Sequence, residues 1–115
     1  NAELHEVGLG QVETTASFGR PLAQMLQRQP GDIKIVTLDS FELTNIDFIK
    51  IDVDGYEDLL LQGAMDTLSN NNPVVNIEMK TIKRRDVVDV SQKILRKLGF
   101  NMKIRTRSDE VWQKP

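Results

Sequence analysis

The segment that decides the fold lies at residues 48–55 and reads FIKIDVDG. One side of its first six residues is apolar throughout, which predicts a strand over residues 48–53 that ends before Gly55. Apolar residues then recur at helical spacing near residues 58–69, and another apolar run follows at residues 74–79. A strand, a helix and a second strand predict two parallel neighbours joined by a right-handed crossover.

The flanking segments extend this pattern in both directions. A β-branched run at residues 33–38 predicts a further strand of the same sheet, and residues 21–29 predict a short helix that begins with proline. Residues 86–98 predict another helix, and residues 101–107 alternate between apolar and basic side chains, which is typical of an edge strand with one solvated face. We therefore expect residues 1–115 to form a single α/β domain, whose sheet is mostly parallel with an antiparallel edge strand.

The composition excludes several classes of protein. The chain has 115 residues, a formal net charge of −2 and 39% hydrophobic residues, which is typical of one globular domain. It has no cysteine and a single histidine, which excludes a disulfide framework and a thiolate metal site and disfavours a Ser-His-Asp triad. Without a signal peptide or an apolar run of roughly 20 residues, we expect a cytoplasmic protein that does not bind membranes. Because Asn1 replaces a starting methionine, we expect a piece of a longer protein.

Charge is divided unequally between the two ends of the chain. Residues 1–79 contain 4 basic and 13 acidic residues, for a net charge of −9, whereas residues 80–115 contain 11 basic and 4 acidic residues, for +7. The basic end could bind an anionic partner, or the two halves could attract each other within one fold. Aromatic residues make up 5% of the chain and no stacking pair lies near the basic cluster at residues 80–85, so we expect no nucleic-acid partner.

Four carboxylates stand where ligands bind in an open α/β sheet, beyond the carboxyl ends of the strands. Asp52 and Asp54 end the strand that contains Lys50. Glu57 begins the next helix, and Glu78 ends the neighbouring strand. We expect Asp52, Asp54 and Glu78 to approach one another at this edge. Clustered carboxylates raise one another's pKa values, bind a cation or accept a substrate proton.

Each carboxylate also has a structural explanation. Acidic residues such as Glu57 are favoured at a helix N-terminus, and Asp54 before Gly55 is typical of a turn. Asp52 is different, because a carboxylate inside an apolar strand must be paired or functional, and Lys50 is its candidate partner. A calcium loop with Gly55 at its sixth position is excluded, because a lysine and a leucine would then replace the first and last acidic ligands. We expect no metal site.

The stretch EVGLG at residues 6–10, with Asp39 downstream, resembles the first part of a glycine-rich nucleotide-binding loop. The third glycine of such a loop is missing, and Gly19 and Pro21 interrupt the helix that should follow it. An ordinary turn is therefore the favoured interpretation, and the residues that would bind a cofactor stay unknown.

Four motifs follow one another in a regular order. They read TLDS at residues 37–40, IKIDVDGYE at residues 49–57, LQGAMDTL at residues 61–68 and PVVNIE at residues 73–78. Their order, spacing and residue types resemble the FkbM family of S-adenosylmethionine-dependent methyltransferases. Members of that family carry a TLDS turn, then IKIDVEG-E, a helix with L-GA--TL and a strand that begins with proline and ends with glutamate. Asp54 replaces the usual glutamate and keeps the carboxylate.

The resemblance implies a Rossmann-like methyltransferase that uses S-adenosylmethionine as its cofactor and a small molecule as its substrate. The expected reaction is O-methylation of a hydroxyl on a sugar or a secondary metabolite. By position, the resemblance implies that Asp52 is the general base and that Asp54 is a second catalytic residue beside it. It also implies that Glu57, Glu78 and Lys50 contact the substrate.

The resemblance further implies what this chain lacks. A complete family member has an upstream strand with a glycine-rich cofactor loop and a second strand that ends in an acid for the ribose. We therefore expect this chain to be the carboxyl-terminal half of the domain and to be a poor methyltransferase alone. We also expect it to form a homodimer or to pair with the missing N-terminal half. The alternative is a non-catalytic α/β module that binds a partner through the basic face of residues 80–107.

Overall fold

A computed structural model describes residues 2–16, 32–79 and 86–115 of the chain. In chain order its elements are β1 (Gly8–Leu9), β2 (Thr14–Ala16), β3 (Ile33–Val36), a 3₁₀-helix (Leu38–Phe41), β4 (Phe48–Ile51), α1 (Glu57–Gln62), α2 (Met65–Asn70), β5 (Val74–Glu78), α3 (Asp86–Lys97), β6 (Asn101–Arg105) and β7 (Asp109–Gln113). The helix predicted at residues 21–29 and the basic cluster at residues 80–85 lie outside the described residues. Within those residues, no helix has the length and apolar character that crossing a bilayer requires.

The strands β4 and β5 are parallel neighbours, as the sequence predicts. Phe48 pairs with Val74, and the ladder continues to the pair formed by Ile51 and Ile77. Ile51, Val75 and Ile77 are all buried. Slippage by one residue would turn these side chains to the opposite face of the sheet, so their burial specifies the register.

Two short helices, rather than the single one expected, connect β4 to β5. The interruption lies at Gly63, whose N–H donates to carbonyl groups of the last turn of α1. The carbonyl of Gly63 accepts a hydrogen bond of 2.9 Å from the N–H of Asp39, so a neighbouring segment is attached at the break. A Cβ atom at this position would overlap the carbonyl oxygen of Gly10. Position 63 therefore requires glycine.

A second sheet, with the strand order β1-β3-β2, contains β3. The strand runs parallel to β1 and antiparallel to β2, so the prediction that it shares a sheet with β4 and β5 is wrong. After β3, Thr37 caps the 3₁₀-helix by accepting a hydrogen bond from the N–H of Ser40. Glu42 then adopts a left-handed φ of 51°. The chain thus changes direction before β4 begins.

The central sheet has the strand order β4-β5-β7-β6. The strand β7 pairs antiparallel with both β5 and β6. Among the described strands, three of the five pairings are antiparallel, so the expectation of one mostly parallel sheet is wrong. The α/β class is confirmed, in the form of a mixed fold with two sheets.

The strand β6 forms the antiparallel edge that the sequence predicts. It is shorter than expected, and its five residues are all exposed. Met102 is 37% exposed and Ile104 is 57% exposed, so the apolar face that was expected to pack against the core does not do so. The pairing with β7 shifts its register between these two residues, which disrupts the simple alternation of buried and solvated positions. The sequence analysis does not predict β7.

The hydrophobic core lies between the central sheet and the helices α1 and α3, which contact each other. Its buried members are Ile51, Leu60, Leu61, Ala64, Leu68, Val75, Ile77, Leu95, Phe100 and Trp112. The large aromatic residues Phe100 and Trp112 both belong to this core. Leu9 and Leu38 pack against it from the side of the second sheet. The two sheets therefore share one core.

We expect Gly63→Ala to lower the free energy of unfolding by about 3 kcal/mol, because overpacking against backbone atoms cannot be relieved by a rotamer change. Gly99→Ala is the matched control, since Gly99 has a φ of 91° but nothing lies within 4 Å of an added Cβ atom. That control should lose only about 1 kcal/mol, from backbone strain alone. Urea denaturation followed by circular dichroism measures both values. Equal losses would contradict the close contact between Gly63 and Gly10.

Candidate active site

The chain turns sharply after β4. Asp54 has a φ of 48° and Gly55 a φ of 97°, a conformation that glycine adopts without strain. The N–H of Gly55 donates a hydrogen bond of 3.0 Å to Oε2 of Glu57. Glu57 begins α1 and is only 2% exposed. Its buried carboxylate therefore holds the turn that carries Asp52 and Asp54.

Three carboxylates meet at the carboxyl end of the parallel pair. Oxygen atoms of Asp52, Asp54 and Glu78 all lie within 4.8 Å of one another. The register explains this proximity, because Ile51 pairs with Ile77 and the next residue along each strand is Asp52 or Glu78. Asp52 and Asp54 are exposed and Glu78 is half-buried, so the group is open to a ligand. The structure thus brings together the three carboxylates that the sequence analysis expects to approach one another.

The pKa of Asp52 is raised above the ordinary value of an aspartate. The largest cause is a hydrogen bond between its carboxyl group and that of Glu78, followed by partial desolvation and by the negative charges of Glu78 and Asp54. The positive charge of Lys50 acts in the opposite direction and lowers the pKa. The neighbouring carboxylate of Glu78 is thus the main reason why Asp52 binds its proton more tightly than an ordinary aspartate.

The surroundings of Asp52 differ from the expectation. The strand β4 ends at Ile51, so Asp52 lies beyond the strand and is exposed, whereas the sequence analysis places it inside an apolar strand. Lys50 was the candidate ion-pair partner, but within the part of the chain that the structure describes no ion pair closer than 4.0 Å joins the two residues. Lys50 acts on Asp52 only through its charge. Glu78 is the direct partner instead.

Glu57 does not join the cluster. The sequence analysis places it at the rim of the site as a substrate ligand, but its side chain is buried and accepts the hydrogen bond from Gly55. In this geometry Glu57 positions the turn, and its expected contact with a substrate stays a prediction. The expected contact of Lys50 with a substrate stays a prediction; Lys50 is exposed on β4 opposite Asn76.

The glycines of residues 6–10 have a packing role. A Cβ atom on Gly8 would lie 2.5 Å from Cδ1 of Ile35, and one on Gly10 would lie 2.8 Å from Cγ2 of the same side chain. Both glycines therefore make room for a side chain of the neighbouring strand rather than for a ligand. The segment contains the strand β1, which runs parallel to β3, so the prediction of an ordinary turn is wrong.

Asp39 is also engaged within the protein. Its carboxylate accepts hydrogen bonds from the N–H groups of Asp66 and Thr67, at 3.2 and 2.8 Å, and from the hydroxyl of Thr67 at 2.7 Å. It thereby caps the N-terminus of α2, where a negative charge is favourable. The residues that the sequence pattern offers for a cofactor loop and its acid, Gly8, Gly10 and Asp39, are thus all engaged within the fold. They do not by themselves identify an S-adenosylmethionine site.

The three carboxylate oxygens have a geometry that could also receive a hard cation. Exposed acidic groups lie together in many proteins without any ion, and only three oxygen ligands are offered here. A calcium or magnesium site would need several more. The cluster by itself therefore does not identify a metal centre.

The sequence analysis does not predict the buried polar network around Glu110. Glu110 is 1% exposed, and its two oxygens accept hydrogen bonds from Nε1 of Trp112 at 3.0 Å and Nε2 of Gln92 at 2.7 Å. Nε of Arg105 lies 3.9 Å from the same carboxylate. The only signal in the sequence is the alternation of Glu110 and Trp112 along β7, which becomes visible once that strand is known.

Two comparisons identify similar proteins. A family model described as the methyltransferase FkbM domain matches residues 9–102. The crystal structure of methyltransferase FkbM from Methylobacillus flagellatus KT at 2.20 Å resolution superposes with a TM-score of 0.61 and 22% sequence identity. The superposition covers 95% of this chain and 27% of that chain, and at this identity it shows a shared fold. No curated protein sequence matches the chain significantly.

We expect Asp52→Asn to raise the melting temperature at pH 7. A raised pKa in the folded state means that the stabilising contribution of Asp52 is complete below the unfolded pKa of about 3.9 and is lost as the pH rises through the folded value. The amide removes the repulsion at neutral pH, and the gain should vanish near pH 3. Asp47→Asn, outside the cluster, is the control in thermal scans across pH. An equal gain in both variants at pH 7 would contradict the interaction within the cluster.

Proposed function

The chain belongs to the methyltransferase FkbM domain family, as its motifs predict, and from this we propose that it forms the acceptor side of an S-adenosylmethionine-dependent O-methyltransferase. The proposed acceptor is a hydroxyl group of a sugar or of another small metabolite. The observation that carries the proposal is the approach of carboxylate oxygens of Asp52, Asp54 and Glu78 to within 4.8 Å of one another at the carboxyl end of β4 and β5. Ligands of open α/β sheets bind at this edge.

The chemistry assigned to this chain is proton transfer. S-adenosylmethionine, when bound, supplies an electrophilic methyl group. A sugar hydroxyl is a weak nucleophile, so its oxygen becomes reactive only as its proton leaves. Asp52 is exposed at the sheet edge and can accept this proton on a carboxylate oxygen. A positioned base of this kind contributes typically about 10²–10⁴-fold to the rate.

The neighbouring groups tune and orient this base. The hydrogen bond to Glu78 raises the pKa of Asp52 and so increases the affinity of the base for the proton, while Lys50 favours its ionised form. Asp54 lies beside it on the turn and offers a further acceptor oxygen. Adjacent hydroxyl groups of a sugar can donate hydrogen bonds to Asp54 and Glu78, which would fix the reacting oxygen against Asp52.

Cofactor binding is not assigned to the described residues. Gly8 and Gly10 accommodate Ile35, and Asp39 caps α2, so these residues are committed to the fold. The proposal therefore makes this chain incomplete as a catalyst: in isolation it is a weak methyltransferase or an inactive one. In this proposal the Rossmann-like sheet is completed by strands that lie beyond those described.

The exposed edge of β4 favours pairing of this chain with another strand. β4 stands at the end of the strand order in the central sheet, and Phe48 on this strand is 57% exposed. An unpaired edge presents backbone N–H and C=O groups that can pair with another strand. We propose that β4 pairs with a second copy of the chain or with the N-terminal half of the domain.

In a complete FkbM domain that carries this segment, we expect Asp52→Asn to lower kcat by about 10²-fold or more, because the amide cannot accept the proton. Asp47→Asn is the control and should leave kcat unchanged, since Asp47 lies outside the cluster. The assay follows labelled methyl transfer from S-adenosylmethionine to a panel of sugars and metabolites. A variant Asp52→Asn that binds cofactor and keeps its kcat would show that Asp52 is not the base.

For residues 1–115 alone, we expect no micromolar binding of S-adenosylmethionine and the mass of a dimer. Affinity in this fold depends on a glycine-rich loop and an acid for the ribose, which the described residues do not provide. Isothermal titration calorimetry measures the binding, and light scattering measures the mass. Micromolar binding by a monomer would contradict both expectations.

A further inference from the structure

Tyr56 is an exposed aromatic residue on the turn that carries two members of the carboxylate cluster of Asp52, Asp54 and Glu78. The turn leads from the end of β4 to α1, and Tyr56 is the residue directly before that helix. It is 56% exposed, whereas the aromatic residues of the core are buried. The single tyrosine of the chain is therefore open to solvent in the segment that forms the candidate active site.

The fold does not account for an aromatic side chain at this position. Tyr56 is the N-cap residue of α1, and its side chain forms no capping hydrogen bond. Serine, threonine, aspartate and asparagine are preferred at an N-cap, because their side-chain oxygen accepts a hydrogen bond from a free N–H group of the first turn. An exposed ring also contributes little hydrophobic stabilisation. Residues that break a local preference without benefit to the fold are expected at functional sites.

Hydrogen bonds on both sides fix the backbone of Tyr56. Its carbonyl accepts a hydrogen bond of 3.0 Å from the N–H of Leu60, within the first turn of α1. On the other side, the N–H of Gly55 donates to the buried carboxylate of Glu57 at 3.0 Å. Only the two side-chain torsions of the tyrosine then remain to be ordered when a ligand binds, so the ring offers a large contact area at a small cost in entropy.

The chain keeps Tyr56 close to the carboxylate cluster. One residue separates it from Asp54, so their Cα atoms lie at most about 7 Å apart. A Cβ atom added to that intervening residue, Gly55, would meet nothing within 4 Å apart from its chain neighbours, so the space over the turn is open. Asp54 itself is exposed. A ligand of the size of one sugar ring that binds Asp54 is therefore within reach of the ring of Tyr56.

We propose that Tyr56 selects a sugar ring as the methyl acceptor, by stacking on the C–H face of a pyranose whose hydroxyl groups bind the carboxylate cluster. The inference rests on the proposed function of that cluster and adds the class of substrate. A pyranose carries hydroxyl groups around its rim and a patch of C–H bonds on its face. The hydroxyl groups donate hydrogen bonds to the carboxylates, and the tyrosine ring covers the apolar patch. An open-chain polyol offers the same hydroxyl groups without a rigid apolar face.

Binding of two neutral probes to residues 1–115, without any methyl donor, tests the proposal. The probes are methyl β-glucopyranoside and sorbitol, which is an open-chain polyol. Saturation-transfer NMR measures their affinities, and the ring signals of Tyr56 are identified by their loss in the Tyr56→Ala variant, because the chain has one tyrosine. We expect the glucoside to bind more tightly than sorbitol and to shift these ring signals. Because no proton is transferred in this experiment, failure of Asp52 as the base would leave the result unchanged.

Three variants separate stacking from other effects. Tyr56→Ala should weaken binding of the glucoside about fivefold, which is in the range of the energies of aromatic pairs. Tyr56→Phe should keep the affinity within about twofold, because the ring that stacks is retained. Phe48→Ala is the matched control, since Phe48 is an aromatic residue with 57% exposure at the other end of β4. It lies about 13 Å along the strand direction from Asp52, so its removal should not change the affinity.

Each of four results would overturn the proposal. Sorbitol binding as tightly as the glucoside would remove the role of the ring face. Equal weakening by Tyr56→Ala and Phe48→Ala would indicate contact with exposed aromatic residues in general. A loss in Tyr56→Phe as large as that in Tyr56→Ala would assign the effect to the hydroxyl group instead of the ring. No response to the glucoside at high millimolar concentrations, in a chain that is folded by circular dichroism, would show that this turn does not bind a sugar.

Discussion

The parallel ladder between β4 and β5 is the constraint on which the candidate site depends. Burial of Ile51 and Ile77 as a pair specifies one register, because a slip by one residue would expose both side chains. The same register places Asp52 and Glu78 next along their strands, at the edge of the sheet. Two like charges are thus brought together by the apolar residues that precede them. The positive charge of Lys50 offsets part of the repulsion between the ionised groups, and protonation of Asp52 relieves the rest.

The family motifs around this ladder serve the fold as much as the chemistry. Thr37 and Asp39 of the TLDS motif cap the 3₁₀-helix and α2 respectively. Gly63 of the LQGAMDTL motif meets the carbonyl oxygen of Gly10 and accepts the N–H of Asp39. Thr67, at the other end of that motif, donates to the same aspartate. Two motifs that are separated in sequence are therefore hydrogen-bonded to each other. This contact attaches the segment after the second sheet to the helices between β4 and β5.

Apolar patterns in the sequence were sufficient to predict the elements whose formation depends on neighbouring residues. The apolar runs of β4 and β5, with a helical segment between them, are sufficient to predict a parallel pair and the approach of Asp52, Asp54 and Glu78. The partner of β3 was mispredicted because a β-branched run favours a strand but does not say which strand will pair with it. β7 was missed because a buried charge, Glu110, stands where an apolar residue would have shown the alternation. The hydrogen bond from Gly55 to Glu57 was not predicted, because the helix-terminal position does not reveal that this carboxylate turns back to the preceding turn.

Glu110 connects the central sheet to the helix α3. Its oxygens bind Trp112 of the core and Gln92 of α3, so a buried carboxylate is fully engaged between a strand and a helix. A buried charge is tolerated only when it is paired in this way, and removal of its partners would leave it uncompensated. The network therefore restrains β7 relative to α3. Since β7 pairs with β5 as far as Glu78, the same network also restrains the strand that carries this member of the carboxylate cluster.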